Sequence, residues 1–186
     1  TKTTFNKETM VARISYPDLE ANPELKALTA KIISERGKLH NLYKMLLNSP
    51  PIAEGWLNLL TAVRQKSLLS GRVRELVIMR IAVINKAEYE FISHTPFALK
   101  EGISQEQINA IESWNTSTLF DAVDRSVLAY TDSMTRDVHV PQNVFEDVNK
   151  HFDARGMTEL TATIASYNLV SRFLEALEID PEPEPK

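Results

Sequence analysis

Apolar residues recur along most of this chain at helical spacing, in blocks separated by Gly, Pro, Asn and Ser. Leu25, Leu28, Ile32 and Ile33 lie at helical intervals between Glu24 and Arg36, and Gly37 can end that helix. Leu39 to Leu47 is a second apolar segment, closed by Asn48-Ser49-Pro50-Pro51. Trp56, Leu59, Leu60 and Val63 form the stripe of a helix from Ile52 to Ser67. After Ser70-Gly71, Val73 to Ile84 is apolar nearly all round, which predicts a helix buried on most sides. Its β-branched residues would also suit a strand, but it is longer than the usual strand of roughly 4–8 residues. Ala87 to Lys100 resumes helical periodicity. Pro96 within it leaves the Ile92 carbonyl without a donor and predicts a bend just past His94.

Gly102 fits a helix C-terminus, and Ser104 to Gln107 reads as a capping box for a helix through Trp114. Further helices are predicted from Leu119 to Met134, from Pro141 to Phe152 and from Thr158 to Leu177, with Gly156 separating the last two. No alternating pattern bounded by hairpin turns occurs. The fold class expected is all-α, about seven or eight helices around a central pair. Residues 1–23 read as an arm, 24–179 as one helical domain, and 180–186, with three prolines, as a disordered tail.

A net charge of -4 offers no electrostatic argument for nucleic acid or an anionic membrane surface. Arg80 interrupts the longest apolar run before it reaches the roughly 18 residues of a membrane helix. The first ten residues lack the apolar core of a secretion signal, so a cytoplasmic protein is expected. Cysteine is absent, which removes thiolate nucleophiles, CxxC redox chemistry and zinc-thiolate sites together.

The chemistry-bearing residues cluster around the central pair. Glu90 and His94 are four residues apart, which puts a carboxylate and an imidazole on one helix face. Glu75 lies on the preceding apolar segment, and Phe91 and Phe97 suggest that the face is partly buried. Two carboxylates and one histidine are therefore expected to converge. Structural alternatives accompany each: Glu75 can simply neutralise Arg72 or Arg80, Glu90 can be a surface charge, and His94 a satisfied core residue. Arg80 reads as structural, reaching an acidic partner or an interface. His40, His139 and His151 read as surface residues, and Trp56, Phe91, Phe97, Tyr167 and Phe173 as core or subunit contacts. Glu90 and His94 could also offer two metal ligands, with Glu75 the one plausible third, which keeps a metal-dependent hydrolase in view.

Two runs then become recognisable: R-x-R-E-L-V-I-x-R-x-A from Arg72, and A-E-Y-E-x-x-x-H-x-P-x-A-L-x-x-G-I-S-x-E-Q-I from Ala87. They resemble the carboxymuconolactone decarboxylase family. Its redox branch, the AhpD-type alkylhydroperoxidases, carries E-x11-C-x2-C-x3-H. On this chain the Glu falls on Glu75 and the His on His94, while the two cysteines fall on Ala87 and Glu90. Peroxidase chemistry needs one thiolate to attack and a second thiol to resolve, so the resemblance implies the decarboxylase branch instead.

That branch implies an AhpD-like helical bundle and a cofactor-free lyase acting on a small carboxylated lactone or a similar intermediate. It also implies a homo-oligomer, a trimer or hexamer. In such chemistry His94 would deliver a proton near neutral pH, Glu90 would orient the ring, and Glu75 would complete the relay or hold a water. Arg72 is a candidate partner for Glu75 or for a substrate carboxylate. Tyr89 can offer a hydroxyl, but from a position about 100° around the helix from Glu90. A binding or assembly module that keeps the fold without the chemistry is the alternative.

Overall fold

The computed structural model describes residues 12–183. Among them there is no strand, and nine α-helices follow in order: α1 (Lys26–Arg36), α2 (Asn41–Leu46), α3 (Pro50–Thr61), α4 (Gly71–Ile84), α5 (Glu88–Lys100), α6 (Gln105–Ala110), α7 (Ala122–Arg136), α8 (Gln142–Asn149) and α9 (Ala154–Leu177). None of the helices in this region is long and apolar enough to cross a membrane.

The chain divides into two compact units. One contains the chain up to Leu59 together with the segment from Leu174 onward, and the other is Leu60–Phe173. The boundaries fall inside α3 and α9, so hydrophobic periodicity gives no sign of them.

In the first unit, Ile32, Leu42, Met45, Leu46, Leu47, Ala53 and Leu57 are buried. Its ends are tied by hydrogen bonds rather than by helix. The Arg13 N–H donates to the Leu177 carbonyl at 2.9 Å and the Tyr16 hydroxyl to Asp180 at 2.6 Å. The Asn41 N–H donates to the Glu182 carboxylate at 2.6 Å. The tail is therefore held at Asp180 and Glu182. Proline prevents helix there, but it leaves neighbouring carboxylates and carbonyls free to accept. The first eleven residues of the expected arm and the last three of the tail lie outside the described residues.

The second unit is organised on α4, which packs against both α5 and α7. Leu76 and Met79 of α4, Ala98 of α5, Ile108, Ile111, Phe120 and Leu128 of α7 form its core. Ser70 starts α4 by accepting the Val73 N–H at 3.2 Å. Asn85 and Lys86 end it in a Schellman turn: the Ala87 N–H reaches the Ala82 carbonyl at 2.8 Å and Lys86 adopts a left-handed φ of 54°. This short reversal sends α5 back along α4. A second Schellman turn ends α5, with Gly102 at φ 86° supplying the conformation that a side chain would resist.

Helix α5 runs through Pro96 to Lys100, as its periodicity predicts, and the neighbouring Phe91 carbonyl is taken up by the Thr95 hydroxyl at 2.7 Å. Two sequence expectations need correction. Gly156 lies inside α9 rather than before it, because the Asp153 carboxylate caps the helix by accepting the Gly156 N–H at 2.7 Å. The helix predicted from Ile52 to Ser67 is α-helical only to Thr61 and ends in a π-helical turn, Ala62–Lys66.

Candidate functional site

The reversal between α4 and α5 brings Glu75 onto the same buried spot as Glu90 and His94. All three are within 5% of full burial. His94 Nδ1 lies 2.8 Å from Glu75 Oε2, and since a carboxylate can only accept, the ring proton on this side belongs to Nδ1. The other nitrogen, Nε2, lies 3.3 Å from Glu90 Oε2. That oxygen nevertheless has no partner in hydrogen-bonding geometry among the described residues. The imidazole is therefore gripped on one edge and only approached on the other.

The remaining oxygen of Glu75 lies 3.3 Å from Arg74 Nε. Arg74 is itself held by the Arg64 carbonyl, in the π-helical turn, at 3.3 Å. The Arg64 guanidinium sits 5.5 Å over the half-exposed Phe97 ring, which in turn lies 5.7 Å from the His94 ring. Tyr167 of α9 also meets His94 edge-on, with ring centroids 5.5 Å apart.

The two carboxyl groups are driven apart. Burial pushes Glu90 above the ordinary value of 4.5, and the nearby His94 and Arg64 charges only partly oppose it. Burial pushes Glu75 upward too. There the hydrogen bond and charge of His94, joined by Arg74 and Arg64, win, and Glu75 ends below 4.5. One imidazole thus joins a carboxylate to a carboxyl that holds its proton more tightly, which is how acid and base roles are assigned on one site.

These directions predict opposite pH effects on stability. Glu75 stabilises the fold above 4.5, and that contribution is lost as pH falls through its lowered value. Glu90 acts the other way: above 4.5 the unfolded chain releases its proton first, so stability falls as pH rises until the folded group ionises too. Glu90→Gln removes that burden. Its thermal midpoint should rise relative to wild type by a margin that widens as pH rises above 4.5. A margin that does not grow as pH rises past 4.5 would show that burial does not raise Glu90.

Arg72 is placed elsewhere. Its guanidinium donates to Asp124 at 2.6 Å and to the Gly102 carbonyl at 2.8 Å, so Glu75 takes Arg74 as its partner instead. A residue one turn away along α4 loses to the sequence neighbour because Asp124, at the start of α7, captures it first. Tyr89 is half-buried on α5, off the face shared by Glu90 and His94. Arg80 reaches Asp132, as an acidic partner was expected. No group of three or more His, Asp or Glu side chains in the described residues is arranged to hold a metal ion. Glu75 and Glu90 approach opposite edges of the ring rather than one point.

Sequence reasoning missed Arg74, Arg64 and Tyr167. Arg74 had a signal, its adjacency to Glu75. Tyr167 had none, being 73 residues from His94 and indistinguishable from a core aromatic.

The carboxymuconolactone decarboxylase family model matches residues 50–133, which contain Glu75, Glu90 and His94. The Escherichia coli (strain K12) protein YnjA, described as uncharacterized, is 34% identical over 130 residues, covering 67% of this chain and 66% of that protein. The chain thus spans just under two thirds of that relative's length. A solved structure described as an alkylhydroperoxidase AhpD core, an uncharacterized peroxidase-related protein from Ralstonia eutropha JMP134, superposes with a TM-score of 0.78 at 16% identity, covering 93% of each chain. The debrominase Bmp8 in complex with 2,3,4-tribromopyrrole superposes with a TM-score of 0.77 at 16% identity, covering 94% of each chain. At such identities the likeness is one of fold.

Proposed function

This chain belongs to the carboxymuconolactone decarboxylase family, in a form with Ala87 and Glu90 where the redox branch has cysteines, and from that premise we propose that it is a proton-transfer lyase. The substrate class is a small carboxylated lactone or a similar conjugated acid, and the chemistry uses no thiol. The observation that carries this reading is the His94 imidazole set between two buried carboxyl groups at 2.8 and 3.3 Å.

In a carboxylated, conjugated lactone the C–C bond to the carboxylate breaks and CO2 leaves. The bonding electron pair passes through the conjugated system to the carbonyl oxygen, giving a dienolate. One proton is then delivered to carbon and is replaced from solvent. Both nitrogens of His94 face carboxyl groups, so the imidazole does not present a free edge to substrate. The terminal donor is therefore Glu90, whose Oε2 has no hydrogen-bond partner. His94 reloads Glu90, and Glu75, ionised and fixed by Arg74, holds the ring in place. A buried carboxyl that keeps its proton is suited to that task. The solved debrominase bound to a brominated pyrrole is compatible with a small, flat, conjugated ligand on this fold.

The test is incubation of the purified protein in D2O with a panel of small carboxylated lactones, followed by NMR. CO2 release with one deuterium incorporated at a carbon of the dienolate is expected for at least one member. Folded protein that neither releases CO2 nor exchanges deuterium into any of them would remove the proposal.

A further inference from the structure

Two polar atoms near His94 are buried without a hydrogen-bond partner among the described residues: the Tyr167 hydroxyl and Glu90 Oε2. A buried polar group left unpaired destabilises the fold, and native proteins keep few of them. Both residues meet one imidazole: Glu90 Oε2 lies 3.3 Å from its Nε2, and the Tyr167 ring lies edge-on to it with centroids 5.5 Å apart. One is a donor without an acceptor. The other is a carboxyl oxygen that His94 Nε2 approaches at 3.3 Å without hydrogen-bonding geometry.

We propose that Tyr167 is a catalytic residue, its hydroxyl donating a hydrogen bond to the substrate carbonyl oxygen that becomes the dienolate oxyanion, beside Glu90, which faces the carbon to be protonated. This inference rests on the proton-transfer reading above and extends it to the ligand class, a planar conjugated oxyanion. The hydroxyl donates without transferring its proton, so the balance of the reaction is unchanged.

A donor placed where charge develops is worth most in a dry site. Tyr167 meets that condition, being only 2% exposed. Burial pushes its phenol above the ordinary value, and the charges of Arg64 and Arg74, opposed by those of Glu90 and Glu75, do not reverse this. The group accordingly remains a neutral donor wherever the enzyme works. The Tyr130 hydroxyl, by contrast, is paired with Thr161 at 2.8 Å.

The probe is 4-nitrophenol, whose ionised form is a planar conjugated oxyanion and whose absorbance reports binding. Wild type should bind 4-nitrophenolate at least ten-fold more tightly than 4-nitroanisole, the methyl ether with no oxyanion. Tyr167→Phe should lose ten-fold or more of the 4-nitrophenolate affinity while its thermal midpoint stays the same or rises, because an unmet polar group has gone. Equal affinity for phenolate and ether in wild type, equal phenolate affinity in the variant, or a lowered midpoint in Tyr167→Phe would each overturn the proposal. The first comparison needs no variant, so misfolding cannot protect the idea. Failure of the two ideas is separable: lost phenolate binding in Tyr167→Phe with no lactone turnover keeps the oxyanion site and discards the reaction. Lactone turnover with unchanged kcat in Tyr167→Phe discards Tyr167 alone.

Discussion

Replacing His94 by glutamine should lower lactone turnover, and with it deuterium incorporation, by about 10²–10⁴-fold, the range a positioned proton-transfer group contributes. Glutamine occupies similar space, and its amide N–H can still meet Glu75, so the fold should survive. What it cannot do is give a proton up to Glu90 and take one back, as an imidazole can. Glu90, once it has given its proton to carbon, would then be reloaded only by bulk water, from which it is almost wholly covered. Single-turnover and steady-state rates should therefore separate: the first event in each Glu90→carbon transfer is less affected than repeated turnover. A His94→Gln variant that retains more than one tenth of the wild-type steady-state rate would show that the imidazole does not reload the acid.

The sequence carried the His94 and Glu90 pairing because the i,i+4 spacing is a local property, fixed by one helix. The link to Glu75 rested on its place in the preceding apolar segment, and the resemblance then supported it. Nothing in the spacing alone states that the chain reverses at Asn85 and Lys86 tightly enough to bring residues 19 positions apart to 2.8 Å. Arg72 illustrates the opposite case. Helical geometry offers it Glu75 one turn away, but an arginine side chain is long and Asp124, 52 residues on, lies within its reach. Local spacing lists the partners a residue can have and tertiary packing chooses among them. Tyr167 was beyond that kind of reading, since a tyrosine in an apolar helical stripe reads the same whether or not its hydroxyl is satisfied. Helix existence was legible from apolar periodicity, while helix ends depended on caps such as Asp153 and Asp121, which local composition marks only weakly.

Asp132→Ala should produce the largest loss of stability away from the site. Arg80 is 4% exposed on α4, and its guanidinium is forked onto the two Asp132 oxygens at 2.6 and 2.7 Å. It also donates to the Ile111 and Glu112 carbonyls at 2.9 Å each, and the Trp114 indole N–H donates to Asp132 at 3.2 Å. Every part of this cluster is matched, which is the condition under which a buried ion pair persists. Truncating Asp132 leaves a buried cation facing only neutral carbonyls and orphans the indole N–H. Removing one member of a buried pair costs about 3–5 kcal/mol, and the lower end applies because Asp132 is partly exposed. For a chain of this size each kcal/mol moves the midpoint by roughly 2–4 °C, so a fall of about 6–12 °C is expected. The double change Arg80→Met with Asp132→Leu should recover much of the loss, because an apolar pair needs no compensating charge. A midpoint for Asp132→Ala within about 2 °C of wild type would mean that the carbonyls alone satisfy Arg80. The same cluster bears on the chemistry: Arg80 anchors α4 to α7, and α4 carries Glu75. A loosened α4 would let the Glu75 carboxylate drift from His94, so Asp132→Ala should also slow turnover at temperatures well below its own midpoint.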